Sequence, residues 1–294
     1  MSINFRFLSS PRSHRLNLMN DMEEFIEKYC TDITKKAAEN AYDPITGRDV
    51  EIEQTALILL QRGRRNVMLQ GPAGVGKTAL CVGLAQQIVA GNVPDRLKKS
   101  RVIELDLASM AAGTTTMSEF HGRLIPFLKG MGGQPVILFI DEIHQIMPTC
   151  ENSSYKGLSE VLKPYLTGGT LSIVGATTAD EYRQYIGVDP AMDRRFQTIT
   201  LEVPNDEQTA HILKIIKKGY EKHHGLEITD EICDLIVNLT ATHMRKRAQP
   251  DKSISVMDAA CAREIMDDGA TGQLTPKSVK RIVADYTGLH PDAL

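Results

Sequence analysis

The feature that most constrains this chain is an octapeptide, Gly71-Pro72-Ala73-Gly74-Val75-Gly76-Lys77-Thr78. It lies between a short apolar run at 67–70 and an apolar helical stretch beginning at Ala79. Strand, glycine-rich loop and helix in that order match the G-x-x-x-x-G-K-[ST] pattern in full. The glycines let successive backbone N–H groups turn inward, and the helix amino terminus adds partial positive charge, so the loop is a cradle for phosphates. In such a cradle Lys77 reaches the β and γ phosphates of a nucleoside triphosphate, and the Thr78 hydroxyl ligates Mg²⁺.

A second motif complements the first. Val136-Ile137-Leu138-Phe139-Ile140 is an apolar run that ends in Asp141 and Glu142. A strand ending in two carboxylates supplies what triphosphate hydrolysis needs. Asp141 holds the metal and Glu142 orients and polarises the attacking water. Read together, the two motifs predict a chain that binds and hydrolyses a nucleoside triphosphate.

The surrounding pattern predicts the architecture. Apolar runs at 67–70, 102–105, 136–140 and 171–175, with a fifth strand at 198–203, alternate with helix-length segments. Parallel strands need such long crossovers, so the expectation is an α/β domain: a parallel sheet with helices on both faces. Helical periodicity covers 16–40, with apolar Leu16, Met19, Met22, Phe25, Ile26 and Tyr29, and a second helical run covers 51–62. Beyond Pro204 the chain reads as wholly helical, at 207–222, 230–243, 254–267 and 275–286. Asp230 and Thr275 are the expected caps there, and Pro276 suits a first helical turn. The expected division is an N-terminal helical arm over 1–42, a nucleotide-binding α/β domain over 43–204 and a small helical lid domain over 205–294.

Composition excludes several other classes. Lys plus Arg number 34 against 37 Asp plus Glu, a formal net charge of −3, so neither nucleic acid nor an anionic membrane is an expected partner. No apolar run approaches the roughly 20 residues of a membrane-spanning helix, and Arg6 and Pro11 interrupt the apolar stretch a signal peptide would need. The five cysteines are scattered, with no C-x-x-C pair, which predicts neither a disulfide framework nor a zinc site and suits a reducing, cytoplasmic setting. Asp141-Glu142-Ile143-His144 also spells a helicase box, but the accompanying Gln61–Arg65 element precedes the cradle instead of following it. No guanine-reading Asn-Lys-x-Asp occurs.

At this point the chain resembles one family. Residues 24–62 and 66–270 are similar to the first ATPase module of the ClpA/ClpB-type AAA+ protein-remodelling machines. The resemblance rests on Glu27-Lys28-Tyr29, on Asp43-Pro44 with Gly47-Arg48-Asp49, and on the cradle. It continues through Gly83–Gln86, Ala90–Pro94, Leu138–His144, Gly175–Ile186, Arg194-Arg195-Phe196 and Gln249–Lys252.

The resemblance implies further roles. Thr178 takes the polar sensor position after the fourth strand, near the γ-phosphate, or else makes a local turn bond. Arg194 and Arg195 match arginine fingers that act on the nucleotide of a neighbouring subunit, the alternative being an ion pair with Asp189 or Asp193. Ile45 and Thr46 belong to the segment that passes the adenine, with Thr46 standing where relatives carry an aliphatic residue. ATP and Mg²⁺ are the implied ligands. A ring homo-oligomer, hexameric by analogy, and a protein partner to remodel or position are the implied assembly. The stretch holds one module, without a recruiting domain before residue 20, a coiled-coil insertion or a second module. Thr116, with Met117 beside it, stands where the family's first pore loop carries an aromatic residue. That departure keeps open a second reading: a nucleotide-gated scaffold, such as a component of a secretion apparatus, that does not thread polypeptide.

Overall fold

The computed structural model describes residues 22–114, 116–151, 153–167, 171–267 and 272–294. Leu16 and Met19 of the N-terminal run and the side chain of Met117 lie outside what is described.

Helix α1 covers 22–29, followed by strand β1 (Cys30–Asp32), α2 (Ile33–Ala38) and α3 (Asp49–Leu59). Then come β2 (Asn66–Gln70), α4 (Lys77–Ala90), β3 (Arg101–Leu105), α5 (Leu107–Ala111) and α6 (Met117–Met131). Strand β4 (Val136–Ile140) leads through a 3₁₀ turn to α7 (Leu158–Thr167) and β5 (Ser172–Thr177). Short α8 (Ala179–Glu181) runs into a π turn, and α9 (Pro190–Asp193) precedes β6 (Phe196–Thr200). The remainder is helical: α10 (Asp206–His224), α11 (Asp230–His243), α12 (Asp251–Met266) and α13 (Pro276–Thr287).

The strands form one sheet in the order β1-β3-β4-β5-β2-β6, with every pair parallel except β1–β3. Side-chain alternation divides the buried strand residues between two cores, as a two-sided sheet requires. Leu138 and Ile140 face one core with Leu124 and Leu162, while Ile137 and Phe139 face the other with Leu80 and Leu84. A third core, around Leu213, Ile236, Val256 and Val283, belongs to α10–α13 alone. Among the described residues no helix is long and apolar enough to cross a membrane, and all five cysteines are free.

The helical reading of 16–40 is corrected. The chain leaves α1 at Cys30 and lays three residues antiparallel along β3, pairing Thr31 with Glu104, before α2 begins. Asp32 drives the restart by accepting the Lys35 N–H at 2.9 Å as the cap of α2. Arg101 fastens the edge by gripping both Glu23 of α1 and Asp32, the latter at 2.8 Å. Phe25 stacks on Phe127 of α6 with ring centroids 4.1 Å apart. Covering an otherwise open sheet edge outweighs the local helical preference.

Three smaller corrections follow. Thr229, not Asp230, caps α11 and accepts the Ile232 N–H at 3.4 Å, while Asp230 sits in the first turn and pairs with Lys217. Strand β6 runs over 196–200 instead of 198–203, and α12 starts at Asp251 instead of 254. Thr275 does cap α13, with Pro276 at its first position.

Candidate functional site

The cradle joins the carboxyl end of β2 to α4. Its Gly76 is the cap residue of α4 and takes φ +99°, a left-handed backbone that side-chain-bearing residues rarely adopt. Gly74, at φ +79°, has no room for a methyl group: a Cβ there would lie 2.7 Å from the Cβ of Asp251, the first residue of α12. The loop and the first turn of α12 therefore touch backbone to side chain.

Lys77 Nζ donates to the loop's own carbonyls, Gly71 O at 2.9 Å and Pro72 O at 3.0 Å. Burial pushes the Lys77 pKa down, and Asp141, Glu181 and Glu142 pull the other way. The ammonium is thus held beside a concentration of carboxylates, with donors that a phosphate would take over from the carbonyls.

Thr78 Oγ1 donates to Asp141 Oδ2 at 2.9 Å, bringing together the two residues expected at the metal. These are hard oxygen donors, and Mg²⁺ is characteristically held by one or two carboxylates with substrate phosphates completing its shell. The pair fits that ion, and no group of three or more His, Cys, Asp or Glu side chains placed to hold a metal occurs among the described residues. Glu142 follows at φ +46°, a strained backbone for a residue with a side chain. Its N–H donates to Asp141 Oδ1 at 2.8 Å, and its carboxylate accepts from Gln145 Nε2.

Behind the carboxylates sits a second polar group. Thr178 caps α8 in a reciprocal capping box, its hydroxyl 2.8 Å from Glu181 Oε2 and its N–H 3.0 Å from the same oxygen. Thr177 reaches Glu181 and His144 Nδ1, each at 3.2 Å. His144 is buried and stacks on Tyr185. Burial alone would raise the Glu181 pKa, but its hydrogen-bond donors from Thr178 and Thr177 together with nearby His144 leave it below the usual carboxylate value. Thr178 does border the cavity, although its hydroxyl closes this local box.

Lys77, Thr78, Asp141, Glu142 and Thr178 all line one cavity of about 410 Å³. An apolar cavity of about 260 Å³ adjoins it, sharing Gly76, Ala79, Pro250 and Ile254. Ile45 and Thr46 line this second cavity, facing Ile212, Ile216 and Tyr220 of α10. Gln86 of α4 fixes the 43–45 segment by accepting the Ile45 N–H at 3.1 Å and donating to Asp43 O at 2.9 Å. A compartment with a cation, Lys77, and four carboxylates, Asp141, Glu142, Glu181 and Asp251, thus opens into an apolar one. That is the division a nucleotide presents between phosphates and base.

Arg194 and Arg195 line neither cavity. They follow α9 on the rim of the sheet, with Arg194 exposed and Arg195 donating to Ala191 O. Among the described residues Arg194 pairs with neither Asp189, which bonds Lys163, nor Asp193, which accepts the Tyr182 hydroxyl.

Sequence reasoning assigned no role to Arg48. It is buried, donates to Val75 O at 2.8 Å and Glu202 O at 3.0 Å, and pairs with Glu51 at 2.9 Å. Gln145 and Glu181 were likewise not singled out. A lone glutamine after the acidic pair, or a glutamate three residues past a threonine, carries no signal specific to a site.

The profile of the AAA family, ATPases associated with various cellular activities, matches residues 67–202, and that of an AAA lid domain matches 205–288. The chain belongs to the AAA ATPase family. Within that family it is a module of the Clp type. It is 40% identical over 246 residues to the chaperone protein ClpB of Tropheryma whipplei (strain Twist), covering 84% of this chain and 35% of that protein. It is also 40% identical over 262 residues to the ATP-dependent Clp protease ATP-binding subunit ClpL of Staphylococcus aureus (strain MRSA252), covering 88% and 37%. A closed-state reconstruction of Hsp104 with ATPγS and FITC-casein superposes with a TM-score of 0.82 at 33% identity, over 90% of this chain and 45% of that one. This AAA chain therefore spans about a third of the length of the curated relatives it matches.

Proposed function

We propose that this AAA module hydrolyses ATP as part of a ring, hexameric by analogy with its family, and remodels or positions a protein partner in a reducing, cytoplasmic setting. The observation that carries the reading is the convergence of Lys77, Thr78, Asp141 and Glu142 on one cavity that opens into an apolar compartment lined by Ile45 and Thr46.

In this reading the backbone of Gly71–Thr78 and the Lys77 ammonium bind the β and γ phosphates. Thr78 and Asp141 hold Mg²⁺, which supplies charge neutralisation between the phosphates when bound. Glu142 accepts a proton from the attacking water as its oxygen bonds the γ-phosphorus and the bond to ADP breaks. Thr178 reports the γ-phosphate through Glu181, which already holds its hydroxyl. Arg194 and Arg195, displaced from this chain's own cavity, serve the nucleotide of the next subunit, where such an arginine is worth about 10³–10⁵ in rate. The relatives named as chaperones, and the Hsp104 structure containing casein, support a polypeptide as the partner.

A second reading, a nucleotide-gated assembly component that does not thread polypeptide, is favoured by Thr116. It takes the pore-loop position, and its hydroxyl caps α6 by accepting the Glu119 N–H at 3.3 Å.

The ring is tested by mixing. Lys77→Ala subunits retain the fingers and Arg195→Ala subunits retain the cradle, so the mixture recovers ATPase activity that neither has alone. Specific activity of the unaltered chain rises with protein concentration as rings assemble. Activity per subunit that stays flat across dilution, in a monomer by sedimentation, removes the trans arrangement.

A further inference from the structure

We propose that the cavity between Arg65 and Arg96 is a binding site for a small free oxyanion of the phosphate type. It lies at the amino ends of the strands, on the side of the sheet away from the nucleotide cleft. The nucleotide cavity is built on residues that follow β2, β4 and β5 at their carboxyl ends, where open parallel sheets ordinarily bind ligands. This cavity is built on the other ends. Arg65 and Ser100 directly precede β2 and β3, Gln134 lies just before β4, and Ser172 opens β5.

The site is basic, with no counterion among the described residues. Arg65 and Arg96 both line the cavity, and among the described residues no carboxylate does. Asp95, next to Arg96 in sequence, is paired with Lys98 at 2.8 Å. Arg65 Nε is buried with no hydrogen-bond partner among the described residues. Natural structures leave few such donors unmet, and each one asks for an explanation. The carboxyl end of α3, at Leu59 and Leu60, also borders the cavity, and among the described residues neither guanidinium donates to its carbonyls. Burial pushes the Arg65 pKa down, and the Arg96 charge pushes it in the same direction, so the pair repels across the space it encloses.

An oxyanion between them answers each of these features. It accepts from the orphaned Nε–H, converts two repelling cations into two partners, and matches the planar fork of a guanidinium. Ser100 adds a hydroxyl on a buried residue at the same wall. Size sets the class of ligand. The cavity is about 110 Å³, against about 260 and 410 Å³ for the two compartments of the nucleotide cleft, so it admits a single small group and not a nucleotide. The inference stands independently of the catalytic roles proposed above.

The test is thermal denaturation of the full chain in orthophosphate against chloride at equal ionic strength, since a ligand that binds only the folded state raises its midpoint. Orthophosphate also enters the cradle, so the comparison is among proteins that all keep the cradle: unaltered, Arg96→Gln and Arg65→Met. Retained ATP binding verifies that each is folded. Because Arg96 is exposed, its variant decides the matter even where Arg65→Met is unstable. The expected result is that at least half of the phosphate-dependent rise is lost in Arg96→Gln, and in Arg65→Met where it folds. An equal rise in the unaltered chain and Arg96→Gln, or no rise in any of them, overturns the site.

Discussion

The Thr78 hydroxyl donates to the Asp141 carboxylate at 2.9 Å, tying the first turn of α4 to the carboxyl end of β4. The two residues come from motifs far apart in sequence, yet they touch because β4 and β2 flank β5 in one parallel sheet. The cavity's remaining polar groups are arranged around that contact.

Lys77 and Glu142 border this contact with different duties, and their variants should separate. Lys77→Ala removes charged hydrogen bonds to phosphate, each worth about 1.5–3 kcal/mol, so ATP affinity falls roughly 10–100-fold. Glu142→Gln keeps the fold and the cation and should bind ATP normally, with hydrolysis reduced about 10²–10⁴-fold. Calorimetry for binding and phosphate release for turnover distinguish the two. Equal loss of binding in both variants contradicts these roles.

Gly74→Ala should be damaging for a reason that lies in another element. The added methyl meets Asp251 Cβ at 2.7 Å from a backbone at φ +79°. The combined strain is expected to cost about 1–3 kcal/mol. Adding Asp251→Ala leaves the offending Cβ in place and should rescue nothing. Adding Asp251→Gly removes that atom and should restore part of the melting temperature, with the backbone strain remaining. Melting temperatures of the three variants check the order.

Glu181 should make stability depend on acid. Its pKa in the folded chain lies below the ordinary 4.5, so it adds stability above that value, lost as pH falls from 4.5 through the folded pKa. Its carboxylate is 35% exposed, so solvent screens part of the effect. Glu181→Gln keeps an acceptor for Thr178 without the titration, and its melting temperature should fall less steeply below pH 4.5. Parallel curves for the two proteins would assign the acid sensitivity elsewhere.

Thr116 should resist conversion into a grip. A tyrosine there adds the aromatic area that holds polypeptide but forfeits the cap of α6, which costs about 1 kcal/mol. The expected outcome for Thr116→Tyr is a lower melting temperature together with greater stimulation of ATPase activity by unfolded protein. Thr116→Ser keeps the cap and should change neither. Rapid unfolding of a stable fluorescent substrate by the unaltered chain would show that no aromatic is needed.

The cradle and the acidic pair were legible because their chemistry demands particular residues at fixed spacing. The sheet strands were legible because runs such as Val136–Ile140 are buried on both faces and stay apolar without alternation. Strand β1 was not. Cys30-Thr31-Asp32 has no strand pattern of its own and pairs because β3 offers an edge and Arg101 a clasp. Arg48, Gln145 and Glu181 were hidden for a related reason. Their importance comes from which atoms the fold sets beside them, and an isolated polar residue in a sequence carries no record of that.

Arg48 is one buried side chain with three attachments: the cradle at Val75, the segment after β6 at Glu202, and α3 at Glu51. Glu202 stands three residues before Asn205, whose capping box starts α10, the first helix of the lid. One nitrogen of the guanidinium, Nη2, therefore donates both to the phosphate loop and to the segment that leads to the lid. The phosphate loop and the approach to the helical half thus share one nitrogen as their common fastening, so losing Arg48 would unfasten both at once.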